Sequence, residues 1–264
     1  MLPKFLCIGA QKAGTTWLYE QLSQHPDIWL PPLKELHYFS FVHLSGRKKD
    51  KKHRIYTLLR NELCNDVIDD TMVSYLSRLV VEDSTTDDWY RAAFQWPGIE
   101  KRTTGEITPL YSALPEEGIA HVRRLLGNPL LIYMVREPVA RVESEMRMVM
   151  ERRGDQRSAS EQLDRLIKRG SAVYRNHIPR WLEVFPEIHF VPFRQVSINP
   201  LGVLRGIEQK LGLPPAEYKA AEEVRHATIK TDLPDGIRRR IREFAEPDRA
   251  FIRQKFGDEF AAMT

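Results

Sequence analysis

Phe5-Leu6-Cys7-Ile8-Gly9-Ala10-Gln11-Lys12-Ala13-Gly14-Thr15-Thr16-Trp17 is the stretch near the start of the chain whose residue order decides the fold. The apolar run from Phe5 to Ile8 is too short for a helix and reads as a buried strand. A loop over Gly9 to Gly14 follows, and Thr15 to Gln24 reads as a helix that stops ahead of Pro26. Where a strand turns through a loop into a helix, unpaired N–H groups and the positive helix end face the loop and suit an anion. Gly14 lets the backbone approach that anion closely. A bare Gly-Thr-Thr would be only a helix cap and Lys12 a solvated side chain. The strand before and the helix after make it a phosphate loop.

The spacing is not that of an ATP-binding P-loop, which needs Gly, an intervening tetrapeptide and then Gly-Lys-Ser/Thr, because here Lys12 precedes Gly14. No apolar strand ending in a magnesium-holding Asp stands out either. Lys12 is thus placed to meet a leaving-group oxygen, with no metal implied.

Working outward, the same unit recurs. An amphipathic helix around Glu116 to Leu126 leads to an apolar strand, Leu130 to Val135, and Pro138 sits in the first turn of another helix. Then come a long helical region from about Ala159 to Phe185, interrupted near Pro179, a strand at Ile188 to Pro192, and helices at Leu201 to Leu211 and Asp235 to Phe256. Short apolar strands between helices imply an α/β, P-loop-like three-layer fold with a central, mostly parallel sheet flanked by helices. A length of 264 residues suits a single domain, residues 1–264, in which the polar, helical region at about 45–100 is an insertion or lid.

The formal charge of +4 suggests modest attraction to a phosphorylated cofactor, an acidic acceptor or nucleic acid. No apolar run approaches the roughly 20 residues that cross a bilayer. The start lacks a small-residue cleavage site, and Cys7 and Cys64 do not form a disulfide framework. The expectation is a soluble, cytoplasmic protein with no membrane partner.

A second anion motif follows the strand at Leu130 to Val135, in Arg136-Glu137-Pro138-Val139-Ala140-Arg141-Val142-Glu143-Ser144. It sets a guanidinium at a strand end and a hydroxyl about two helical turns onward. Arg141 is positioned to pair with Glu137, one turn away. Two phosphate sites on neighbouring strand ends fit the ligand crevice of an open α/β sheet.

With these two motifs the chain resembles the sulfotransferase family, whose cofactor loop reads Lys-x-Gly-Thr-Thr/Ser after the first strand and whose second motif reads Arg-Asp/Glu-Pro…Arg…Ser. The resemblance implies 3′-phosphoadenosine 5′-phosphosulfate (PAPS) as donor and 3′-phosphoadenosine 5′-phosphate (PAP) as product. By it, Lys12, Ala13, Gly14, Thr15 and Thr16 hold the 5′-phosphosulfate end, with Lys12 at the bridging oxygen. Trp17 meets the adenine, and Arg136 and Ser144 hold the 3′-phosphate. Relatives place a basic loop over that phosphate, which here points to Lys230, with Arg225 behind it, in the run from His226 to Thr231.

Transfer to a hydroxyl needs a group that removes its proton. Lys34-Glu35-Leu36-His37-Tyr38-Phe39 supplies Glu35 and His37, which in an extended chain would share one face. The segment resembles the Lys/Asn-Glu-x-His-Tyr/Phe-Phe stretch of heparan-type and related bacterial sulfotransferases, which implies Glu35 as the base with His37 supporting or alternative. Gly105-Glu106-Ile107-Thr108-Pro109-Leu110-Tyr111 resembles that subgroup's Glu-Lys-Thr/Ser-Pro-x-Tyr and offers Glu106 and Tyr111 as acceptor-side residues, with Ile107 where the subgroup carries Lys. Tyr174 to Pro186 resembles the family's Tyr-x-x-His-Leu-x-x-Trp-Leu…Phe-Pro helix.

The function expected is sulfuryl transfer to a hydroxyl, or less readily an amine, of a carbohydrate, lipid or natural product, by in-line displacement. The rival readings are an atypical P-loop kinase and a nucleic-acid or acidic-polymer binder using Arg47 to Arg54 and Arg238 to Arg240. Those basic runs lack the interleaved aromatics that stack bases, so no nucleic-acid partner is expected.

Overall fold

In a computed structural model that describes residues 1–44, 50–151, 157–170, 173–221 and 232–264, the first strand, β1 (Phe5–Gly9), lies at the centre of the sheet and is buried along its whole length. It is followed by α1 (Thr15–Leu22), the short β2 (Ile28–Trp29) and α2 (Tyr38–His43). Next come α3 (Asp50–Leu63), α4 (Asp70–Val81) and α5 (Asp87–Ala92), and the chain returns to the sheet as β3 (Thr103–Ile107). A 3-10 turn over Pro109–Ala113 leads to α6 (Glu116–Leu126), β4 (Leu130–Val135) and α7 (Pro138–Met150). The remainder is α8 (Ala159–Arg169), α9 (Tyr174–Val184), β5 (Ile188–Pro192), α10 (Gln195–Ile198), α11 (Pro200–Leu211) and α12 (Asp235–Ala262).

The strands order β2-β3-β1-β4-β5, and every pairing is parallel. The expected α/β three-layer arrangement therefore holds, and because the sheet is covered on both faces its central strands β1 and β4 are apolar runs rather than alternating ones. The chain leaves β1 toward β2 and β3 on one side and then crosses to β4 and β5 on the other. The carboxyl ends of β1, β3 and β4 thus meet at the switch of strand order, where α/β sheets hold ligands. A cavity of about 740 Å³ bounded by Lys4, Thr103, Leu130 and Lys210 lies at the opposite, amino ends of the strands.

Local chemistry explains several element ends. Pro138 occupies the first turn of α7, as expected, and the Glu137 side chain accepts from the Ala140 N–H at 2.7 Å. Ser158 and Glu161 form a capping box at α8. The helical region expected to run from Ala159 to Phe185 does not break at Pro179, which lies inside α9; the division falls after α8, where Gly170 takes φ 59°. The left-handed glycine closes α8, whereas Pro179 sits at the sixth of the eleven residues of α9 without ending it.

Gly105 is demanded by packing, because a Cβ there would lie 2.0 Å from the Phe5 ring across the β1–β3 pairing. A smaller apolar cluster on α7, α8 and α12, including Val142, Met146, Leu163 and Ile241, holds α12 against the main body. No helix among the described residues is long and apolar enough to cross a membrane.

His177 on α9 is only 7 % exposed, and burial, reinforced by Arg141 and Arg180, lowers its pKa to about 3. His189 on β5 is lowered to about 4 by burial and Lys210. Both stay neutral in the fold and regain an ordinary pKa on unfolding, so the unfolded chain binds more protons below about pH 6.5 and stability falls as pH drops. Between pH 7 and pH 5 urea melts should lose about 2 kcal/mol to His177 alone. His177→Asn should flatten that slope, and an unchanged slope in the variant would remove His177 from this role.

Candidate active site

The loop after β1 is built for an anion. Gly14 takes φ 87°, and a Cβ on it would lie 2.9 Å from the Phe193 ring, so both conformation and space call for glycine. Among the described residues, no protein acceptor faces the backbone N–H groups of Gly14, Thr15, Thr16 and Trp17, and the first helical bond from the loop is Leu18 N–H to the Gly14 carbonyl at 3.1 Å. These donors stand at the positive end of α1. Lys12 also has a left-handed backbone, with φ 65°. Burial, then the charge of Arg136, lowers the pKa of its ammonium.

Arg136 follows β4, the strand beside β1, and reaches back to this loop. Its Nη1 donates to the Lys12 carbonyl at 2.8 Å, and the guanidinium lies 4.7 Å from the centre of the Phe193 ring. Tyr174, 1 % exposed, fixes the Arg136 backbone by accepting from its N–H and donating to its carbonyl, each at 3.0 Å. Ser144 is buried on α7. The two anion motifs are thus in direct contact.

Phe193, packed against both Gly14 and Arg136, was not singled out by sequence, although its place just past the carboxyl end of β5 is the signal that marks ligand-facing residues. Trp17 is 4 % exposed, and its indole N–H donates to the Ala221 carbonyl at 2.9 Å. It therefore braces the chain just ahead of residues 222–231. Lys230 and Arg225 lie outside the described residues.

Arg141 does not pair with Glu137. Arg249 takes that carboxylate at 2.6 Å from α12, and the Arg141 guanidinium is buried 4.7 Å from the centre of the Tyr174 ring.

Glu35 and His37 meet, but not by the expected route. Both take left-handed backbone conformations, φ 59° and 57°, so the segment is bent rather than extended. The bend still brings His37 Nε2 to 3.1 Å from Glu35 Oε2. His37 Nδ1 is buried with no partner, and a hydrogen there would lack an acceptor, so Nε2 is the nitrogen that donates to Glu35. Burial raises the Glu35 pKa, but the His37 hydrogen bond and charge, with Lys34 and Arg54, outweigh it and hold the carboxyl below its ordinary range.

Two further cations pin this loop. Lys34 Nζ lies 2.5 Å from Thr16 Oγ1 and 3.9 Å from Glu35 Oε1. Arg54, at the end of the basic run beginning at Arg47, donates from α3 to the backbone carbonyls of Lys34 and Glu35. Residues 47–49 of that run lie outside the described residues.

Glu106 and Tyr111, expected on the acceptor side, are 1 % and 0 % exposed. Glu106 accepts from Tyr90 at 2.6 Å, Thr108 at 2.6 Å and Tyr111 at 2.7 Å. Burial, against those three donors, still raises its pKa. Both carboxylate oxygens are occupied, so Glu106 and Tyr111 form a closed polar cluster at the end of β3.

A model of the sulfotransferase family matches residues 3–217. The chain belongs to this family. Mouse heparan sulfate glucosamine 3-O-sulfotransferase 5 is 24% identical over 231 residues, 81% of this chain and 54% of that one. Mouse heparan sulfate glucosamine 3-O-sulfotransferase 3A1 is 26% identical over 224 residues, 80% and 46% of the two chains. This sulfotransferase-family chain thus spans about half the length of the curated relatives it matches. A sulfotransferase from Alicyclobacillus acidocaldarius superposes with a TM-score of 0.67 at 22% identity, covering 96% of this chain and 95% of that one. Mouse sulfotransferase SULT7A1, crystallised with PAP, gives a TM-score of 0.50 at 15% identity over 98% and 86%. At such identities the likeness is one of fold.

Proposed function

We propose that this chain transfers the sulfuryl group of PAPS to an acceptor hydroxyl, carbohydrate first among the classes to test, with lipid and natural-product hydroxyls next. The observation that carries the reading is the direct contact of the two anion motifs, Arg136 on the Lys12 carbonyl, beside a loop of amides that meet no protein acceptor among the described residues. ATP and NAD lack the 3′-phosphate that a second site would grip. That the relatives are named as heparan sulfate glucosamine sulfotransferases supports the choice of a glycan.

Bound at the loop, PAPS supplies an activated sulfuryl group whose bond to the bridging phosphate oxygen breaks on transfer. The amides of residues 14–17 and the Thr15 and Thr16 hydroxyls bind the 5′ end, and Arg136 and Ser144 bind the 3′-phosphate. Lys12 neutralises the departing oxygen, the task a metal performs in many phosphoryl transfers. Glu35, ionised and oriented by His37, takes the acceptor proton as the acceptor oxygen bonds to sulfur. Glu106 and Tyr111 support the end of β3 rather than touch the acceptor. In the same reading the chain is one domain, and α3 to α5 form a lid anchored through Arg54 on the carbonyls of Lys34 and Glu35.

Two of the arginines offered for a polymer-binding reading are engaged within the chain, Arg238 with Asp232 and Arg240 with Asp164. That weakens the nucleic-acid alternative. Unpaired Cys7 and Cys64 suit a reducing compartment, so the proposal keeps a cytoplasmic location.

The test is a thermal-shift comparison. PAP should raise the Tm more than ADP or ATP at equal concentration, because only a ligand favoured by the native state adds stability. Equal shifts for all of them would overturn the reading. Labelled donor and a panel of hydroxyl acceptors then identify the substrate.

A further inference from the structure

Lys34 stands between the donor loop and the base. Its ammonium is 2.5 Å from Thr16 Oγ1 and 3.9 Å from Glu35 Oε1, and 6.0 Å from the centre of the Tyr19 ring. An ammonium carries only donors, so Thr16 Oγ1 must be the acceptor in this contact. The hydroxyl proton of Thr16 is then left to point away from Lys34. Thr16 belongs to the first turn of α1, where the neighbouring amides have no protein acceptor among the described residues. An anion in the loop is the partner that this freed O–H fits.

Groups from three elements surround the lysine. From α1 it faces Thr16, Tyr19 and Glu20, from β1 Cys7, and from α3 Arg54, which grips the carbonyl of Lys34 itself. Burial lowers its own pKa, and Glu35 and Glu20 oppose that. At 3.9 Å the contact with Glu35 is longer than a charge-assisted hydrogen bond, so the short bond is the one to Thr16.

We propose that Lys34 is a positioning residue that aims the Thr16 O–H at the anionic 5′ end of the donor and keeps Glu35 ionised, an inference that rests on the sulfuryl-transfer reading above. Both readouts are free of turnover. Calorimetric PAP affinity should fall about 3- to 10-fold in Lys34→Met and in Thr16→Val, and the double variant should lose no more than the worse single one. The Glu35 carboxyl, followed by ¹³C NMR and assigned with Glu35→Gln, should titrate at higher pH in Lys34→Met. Lys34→Arg, which keeps the charge, should hold the Glu35 titration near that of the parent and serves if the Met variant folds poorly.

A lysine that merely packs would lower the Tm but leave PAP affinity and the Glu35 titration unchanged. That result, or additive losses in the double variant, overturns the inference while the parent's PAP preference stands. A parent protein indifferent to PAP sinks both readings.

Discussion

Lys12→Ala should lower kcat by about 10²–10³-fold while PAP still raises the Tm. The loop conformation around residue 12 does not depend on the side chain: the backbone is held by the Arg136 bond to the Lys12 carbonyl and by Ala13 N–H to the Ala10 carbonyl at 3.2 Å. Alanine carries the left-handed backbone no worse than lysine does. What the variant removes is the ammonium. Among the described residues that ammonium forms no ion pair, and burial together with Arg136 makes its charge costly. A negative charge developing on the leaving oxygen relieves that cost only as the bond to sulfur breaks, so the benefit falls on turnover more than on binding. Turnover near that of the parent, with donor binding intact, would take Lys12 out of this role.

The parts of this molecule that sequence reading reached are those where one local rule governs. Leu130–Val135 is an apolar run and Ile188–Pro192 is apolar but for His189, and both strands have the expected ends. The strand Thr103–Ile107 was not legible as one, because Thr-Thr-Gly-Glu-Ile is polar. Its polar side chains find partners that no local pattern announces, Thr104 the Leu2 carbonyl at 2.9 Å and Glu106 the hydroxyls of Tyr90, Thr108 and Tyr111. Its glycine serves a ring on β1. The β2 strand, Ile28–Trp29, is too short for any pattern.

The site divides along the same line. Lys12, Gly14 and Arg136 follow from the chemistry of strand ends, whereas the parts played by Lys34, Arg54 and Phe193 arise from elements far apart in the chain. Glu35 and His37 were recognisable as a pair, but their backbone was not. Two left-handed residues two positions apart are unfavourable locally and persist because α1 and α3 grip the loop from both sides.

Glu35→Gln should lower kcat by about 10²–10⁴-fold, the range general-base help supplies, with PAP binding intact. Glutamine keeps the shape and can still meet His37, so fold and donor site stay while the proton acceptor is lost. His37 is the weaker candidate, because its Nε2 hydrogen points at Glu35 and its Nδ1 is buried. His37→Asn should cost less, and it should move the acidic limb of kcat/KM upward, since the His37 hydrogen bond and charge hold the Glu35 carboxyl below its ordinary range. The sign follows from the chemistry: the base works only when ionised, so activity is full above the Glu35 pKa and fails as pH falls through it. Removing what depresses that pKa brings the failure to higher pH. If His37→Asn abolished turnover while Glu35→Gln left it nearly intact, the two roles would have to be exchanged, and His37 would have to present to the acceptor a nitrogen that this structure keeps covered.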